Sequence, residues 1–252
     1  MSNLLQVEHL NKHYPGFTLK DISFSVKPGH IMGLIGKNGA GKSTTLKCIL
    51  NMVRPESGTV TILGKDFYRY EKECKQDIGV VFGGIDFYPL KKLSAITSVT
   101  RQFYKDWDQE RYKDYLRQFS LDESKHFRSL SNGMKVKYLL ALALSHHASL
   151  YLLDEPTSGL DPVSRDEILH IFTRIVKDGK RSVLFSTHIT SDLDRCADDI
   201  TYIQNGTVLK SADKDTFLHS FEHLRTAEDR GPLSLEKIML RTEGGDPDET
   251  AL

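Results

Sequence analysis

Ile31-Met32-Gly33-Leu34-Ile35 runs directly into Gly36-Lys37-Asn38-Gly39-Ala40-Gly41-Lys42-Ser43. The first stretch is continuously apolar and ends in glycine, which predicts a strand buried on both faces. The second fits G-x-x-x-x-G-K-[ST], the phosphate-cradling P-loop pattern. A helix-compatible run, Ser43–Met52, leads out of it. The chemistry needs these residue types. Glycines let successive N–H groups approach phosphate oxygens with no Cβ in the way. A helix N-terminus adds partial positive charge. Lys42 would neutralise β/γ oxygens, and the Ser43 hydroxyl would ligate Mg²⁺.

Outward from this segment, short β-rich runs appear at Leu4–Leu10, Ile22–Lys27, Thr59–Leu63 and Ile78–Phe82. The second alternates apolar Ile22, Phe24 and Val26 with Ser23 and Ser25, as a half-buried antiparallel strand does. From about 91 to 147 the sequence reads helical: Tyr112, Tyr115, Leu116 and Phe119 recur at helical spacing, and Met134–His147 is dense in Leu and Ala. The β/α alternation then resumes. Leu150–Leu153 is a strand, and Asp161-Pro162 opens a helix with the stripe Ile168, Leu169, Phe172, Ile175 and Val176. Ser182–Ser186 is a strand, Ser191–Ala197 a short helix, and Asn205-Gly206 joins Ile200–Gln204 to Thr207–Lys210 as a hairpin. The expected plan is an α/β domain over 1–219 with a helical subdomain inserted at about 91–147. An extension over 220–252 follows, holding one amphipathic segment, Leu233–Leu240, and a frayed acidic tail.

Composition narrows the function. The 252 residues carry 34 Lys+Arg and 34 Asp+Glu, so the net charge of zero argues against a dedicated nucleic-acid binder. No apolar run approaches the ~20 residues that span a bilayer, and the amino terminus lacks the pattern of a signal peptide. Cys48, Cys74 and Cys196 are widely spaced and odd in number, which suits reduced thiols in a cytosol. The expected location is therefore cytoplasmic, with any membrane role supplied by a partner.

Leu150-Tyr151-Leu152-Leu153-Asp154-Glu155 adds a second motif. A strand would deliver both carboxylates to its C-terminal edge, where open α/β sheets bind ligands. Alone, these are two solvated acids at a strand end. Beside a P-loop, Asp154 would hold the Mg²⁺ water shell, and Glu155, on the opposite face, would activate a water.

Leu130-Ser131-Asn132-Gly133-Met134 precedes this strand, and Ser158-Gly159-Leu160-Asp161 and His188 follow it. With the P-loop and the carboxylate pair these motifs stand in the order of an ATP-binding cassette (ABC) ATPase, the nucleotide-binding subunit of an ABC transporter, which the chain resembles over roughly 1–215. The resemblance implies a P-loop NTPase core of the ABC ATPase type with an N-terminal antiparallel β subdomain and an inserted helical subdomain. It implies ATP and Mg²⁺, with Gly36, Lys37, Asn38, Gly39, Ala40, Gly41, Lys42, Ser43 and Thr44 around the phosphates, and Ser43 and Asp154 at the metal. Tyr14 falls where an aromatic stacks on adenine, although it also reads as a core tyrosine beside a Pro-Gly turn. Ser131 and Gly133 would contact the γ-phosphate held by a second subunit, and Ser131 reads equally as a helix N-cap. Asp161 would meet the opposite subunit or cap its own helix. Glu155 and His188 would serve the attacking water.

The implied partners are a second copy, joined head to tail by ATP, and an integral membrane subunit docked near Gly83–Leu93 and the helical insertion. The implied location is peripheral, on the inner face of the cell membrane. Ser234-Leu235-Glu236-Lys237-Ile238 resembles the tail of bacterial exporter subunits. The sequence departs from the family where a glutamine follows Ile78–Phe82: Gly83 and Gly84 stand there, with Asp86 a candidate substitute. Asn132 and Met134 replace the usual Gly and Gln of the signature. These changes bear on rate and coupling rather than on nucleotide binding. A soluble ABC ATPase, such as an iron–sulfur assembly subunit, and a nucleotide-gated module with little hydrolysis stay open at this point.

Overall fold

The computed structural model describes residues 2–82, 88–226, 229 and 231–244. Gly83, Gly84, Asp86 and the acidic tail past Gly244 lie outside the described residues. β1 (Leu5–Tyr14) and β2 (Phe17–Val26) form a hairpin across Pro15-Gly16, and the pairing continues to Tyr14↔Phe17. Both strands are longer than their apolar runs, because ladder hydrogen bonds persist through Asn11, Lys12 and His13, where the side chains turn polar. β3 is Ile31–Ile35, α1 is Lys42–Ile49, and β4 (Ser57–Ile62) and β5 (Lys65–Asp66) complete an antiparallel sheet of order β2-β1-β4-β5.

The rest of the chain builds the second sheet and its covering helices. In chain order these are α2 (Glu71–Cys74), β6 (Ile78–Phe82), α3 (Leu93–Thr100), α4 (Gln109–Gln118), α5 (Asn132–Leu144), β7 (Leu150–Asp154), α6 (Pro162–Val176), β8 (Ser182–Thr187), α7 (Thr190–Cys196), β9 (Asp199–Gln204), β10 (Thr207–Asp213), α8 (Lys214–Ser220) and α9 (Leu235–Glu243). The sheet order is β10-β9-β3-β8-β7-β6, parallel except for β10.

The period of two sorts the strands between two cores. Met32, Leu34, Leu150, Leu152 and Leu184 pack toward the antiparallel sheet and α1. Ile31, Ile35, Tyr151, Leu153, Val183 and Phe185 pack toward α4, α5 and α6. Both faces are covered, so β3, β7 and β8 read as unbroken apolar runs. Inside the helical stretch the buried Thr97 hydroxyl links Tyr112 Oη (2.7 Å) and Tyr138 Oη (2.9 Å), and Tyr138 donates to Leu93 O (3.0 Å). This satisfied polar chain fixes α3, α4 and α5 to one another.

The carboxy-terminal segment joins the same core through Leu233, Leu235 and Ile238. Asp229 fastens it by accepting from Arg241 Nη1 (2.6 Å) and Lys237 Nζ (2.6 Å), which hold its carboxyl far below the usual carboxylate range. The amphipathic segment is α9, which starts two residues later than its apolar pattern, at the Ser234 cap, and continues to Glu243.

The β9–β10 turn braces the P-loop. Gly206 N donates to Ala40 O (3.0 Å), and Gly206 O accepts from Lys20 N (2.8 Å). Gly206 has φ +78°, and a Cβ there would stand 1.8 Å from Thr18 O. We expect Gly206→Ala to lower unfolding stability by on the order of 2 kcal/mol. Urea denaturation checks this, and an unchanged midpoint would contradict the packing.

Candidate nucleotide site

Gly41 caps α1 with φ 117° and contributes no side-chain hydrogen bond, so the first-turn amides keep their donors for a ligand. Lys42 is only 5% exposed. Its ammonium donates to Gly36 O (2.7 Å) and Lys37 O (3.2 Å) and lies 3.3 Å from Glu155 Oε1. A cavity of about 650 Å³ opens over this loop, walled by Asn38, Gly39, Gly41, Lys42, Ser43 and Thr44 on one side. Glu155, Ser158, His188, Gly16 and Phe17 line the remainder. The volume suits a drug- or cofactor-sized ligand.

The carboxylate pair reaches this cavity through sheet register. Asp154 ends β7 opposite Ser186 of β8, and β8 in turn pairs with β3. Asp154 Oδ1 accepts from Ser43 Oγ (2.9 Å) and from Ser186 Oγ (2.6 Å). Ser186 Oγ also accepts from Glu155 N (2.9 Å). Ser186 thus positions both acids, and sequence reasoning missed it because its only signal is a polar residue ending an apolar strand.

Glu155 lies past the strand end with φ 49°, in the left-handed region. A turn therefore presents its side chain, whereas strand alternation had been the expected means. Oε1 faces Lys42, and Oε2 lies 2.9 Å from His188 Nδ1, which donates as its N–H tautomer. Sequence order alone could not show this direct contact between Glu155 and His188. The Ser43 hydroxyl and the Asp154 carboxylate, adjacent hard oxygen donors beside the phosphate cradle, fit Mg²⁺ bound partly through substrate phosphates. Among the described residues no group of three or more His, Cys, Asp or Glu could hold a metal by protein ligands alone.

Other expected residues lie apart from the cavity. Ser131 caps α5 by accepting from Met134 N (3.3 Å) and is exposed with Asn132. Gly133 is buried against Ser164 of α6, 3.1 Å from where a Cβ would meet its hydroxyl. Neither Ser131 nor Gly133 lines the P-loop cavity of its own chain. Asp161 caps α6, accepting from Val163 N and Ser164 N, which lowers its pKa. Tyr14 is half-buried beneath the Lys12 ammonium, 5.4 Å from its ring centre, and the aromatic on the cavity wall is Phe17. Ala40 is buried and donates its amide to Lys37 O (3.1 Å). The Lys37 ammonium points to α9, 2.8 Å from Glu243 Oε2, while Glu243 Oε1 accepts from Tyr202 Oη (3.0 Å).

The geometry defines a P-loop nucleoside-triphosphate site. The profile of the ABC transporter family matches residues 19–158. The ABC transporter ATP-binding protein YtrB of Bacillus subtilis is 28% identical over 227 residues, covering 90% of this chain and 77% of YtrB. The bacitracin transport ATP-binding protein BcrA of Bacillus licheniformis is 29% identical over 228 residues, covering 89% of this chain and 72% of BcrA. A solved ATP-binding subunit of an ABC transporter superposes with a TM-score of 0.81 at 28% identity, covering 94% of this chain and 98% of that one. The chain belongs to the ABC transporter family and is an ABC ATPase.

Three substitutions check the site. Lys42→Ala removes the buried cation, and ATP affinity should fall more than about 100-fold by calorimetry. Phe17→Ala should raise the KM for ATP about tenfold, as loss of one aromatic stack does. A larger rise for Tyr14→Ala than for Phe17→Ala would return the adenine contact to Tyr14.

Proposed function

We propose that this chain is the ATP-hydrolysing subunit of a transporter whose membrane-spanning part is a separate protein. In this reading two copies meet head to tail with two ATP molecules between them. The observation that carries it is the division of the site. Lys42, Glu155 and His188 converge within one cavity, while the signature residues Ser131 and Asn132 stand exposed elsewhere on the same chain. A second copy brings its Ser131 and Gly133 to the γ-phosphate, where the α5 N-terminus favours an anion.

ATP then contacts both copies and holds them together. Ser43 and Asp154 would hold Mg²⁺, which would supply charge neutralisation at the phosphates. Glu155 takes the proton of the attacking water, and His188 orients the Glu155 carboxylate. Loss of the γ-phosphate contact lets the copies part, and the membrane subunit reads that movement.

The docking surface this reading requires is supported by an apolar groove of about 460 Å³ lined by Met52, Val80, Phe82, Tyr104, Leu139 and Leu142, among others. Val99 and Phe103 are exposed nearby, as are Tyr88 and Leu90 within the expected docking segment. Among the described residues no helix is long and apolar enough to cross a membrane. The proposed place is the cytoplasmic face of the cell membrane. Export is the proposed direction, supported by the exporter-like tail at Ser234–Ile238 and by a relative named for Nod factor export.

Glu155→Gln should keep ATP binding and cut turnover by ~10²–10⁴-fold, the contribution of a positioned base. It should also trap an ATP-dependent dimer in size-exclusion chromatography, and a monomer at saturating Mg·ATP would overturn the reading. Val99→Glu and Phe103→Glu should preserve ATP binding and abolish co-purification of a multi-span membrane protein. Unimpaired co-purification would move the docking surface elsewhere.

A further inference from the structure

Arg111 of α4, Arg174 of α6 and Arg181, one residue ahead of β8, converge on a second cavity of about 140 Å³. It lies between the helical stretch and the core, walled also by Tyr115 and Ile175. The arginines are incompletely matched. Arg181 donates Nε–H to Asp178 Oδ2 (2.8 Å). Arg111 Nη1 faces the His147 ring nitrogen (3.1 Å), with Asp108 acting on it from the rim. Arg174 makes no ion pair and no hydrogen bond among the described residues. Of the three cations, among the described residues, Arg181 alone is paired with a carboxylate.

Tyr151 of β7 lies beneath this cluster and is wholly buried, with its hydroxyl beside Arg181. Burial raises its pKa, and the cations pulling it back down are Arg181 and Arg111. Arg181 is thus close to the hydroxyl. Gly79 makes the ring's position possible, since a Cβ there would lie 2.6 Å from Tyr151 Cδ1.

We infer that this cavity binds a single tetrahedral oxyanion of the phosphate class. Guanidinium forks match such oxygens in pairs. The volume equals roughly four to five waters at ~30 Å³ each, which suits a five-atom oxyanion and excludes a nucleotide. The site is distinct from the P-loop: Tyr151 stands three residues before Asp154 on β7, roughly 10 Å along the strand. A bound anion would tie Arg111 to Arg174 and Arg181, drawing α4 onto α6 and β8.

The test titrates potassium phosphate into the full chain by calorimetry, against potassium chloride at matched ionic strength. Saturating Mg·AMP-PNP occupies the P-loop throughout. One phosphate per chain is expected in the wild type. Arg174→Gln, an exposed position that should not disturb folding, is expected to weaken it about tenfold, and Arg181→Gln similarly. O-Phosphoserine binding more tightly than phosphate would keep the oxyanion assignment and place its source on a phosphorylated chain. No saturable phosphate binding, or full affinity in Arg174→Gln, would overturn the inference.

Discussion

The Lys42 ammonium is almost fully withdrawn from water, and the rest of the site follows from that constraint. A buried cation is tolerated only where oxygens replace its hydration. Gly36 O and Lys37 O do so within the loop, and the Glu155 carboxylate does so from the turn after β7. That third partner requires the ends of β3 and β7 to lie close together. They are not neighbours in the sheet, since β8 runs between them. Ser186 of β8 fills the gap, donating to Asp154 and accepting from Glu155 N.

The sheet holds this register because both faces are covered. A one-residue slip of β7 would exchange Leu150 and Leu152 with Tyr151 and Leu153, sending each set into the wrong core. The same slip would carry Asp154 away from Ser186 and Ser43. Packing and chemistry are therefore specified by one alternation, read on two sides.

Much of this was legible in the sequence, for identifiable reasons. Ile31–Ile35 and Ile78–Phe82 matched their strands to the residue, because fully buried parallel strands are bounded where apolar character stops. The Ser131 and Asp161 caps marked helix starts through side-chain oxygens at fixed spacing. Polar pairing was less visible. The ends of β1 and β2 are held by backbone bonds whose side chains carry no pattern. β5 is two residues long, too short for a period to register. Within the site, the motif residues were readable, and the contacts between them were not. Phe17 reaches the cavity wall only because the β1–β2 hairpin extends to its turn, and Lys37 meets Glu243 across a separation that local spacing cannot report.

The left-handed backbone at Glu155 is the clearest case of local preference yielding to the site. A residue with a Cβ in that region costs on the order of 1 kcal/mol or more, and glutamate has no intrinsic reason to adopt it. Three interactions hold it there: the Ser186 hydroxyl on its amide, the Lys42 ammonium on one carboxylate oxygen and His188 on the other. They come from two segments remote in sequence, the P-loop after β3 and the end of β8, so the conformation exists only once β3, β7 and β8 are assembled. Glycine would relieve the strain and remove the carboxylate. The strain thus persists beside the side chain whose chemistry gives a reason to retain it.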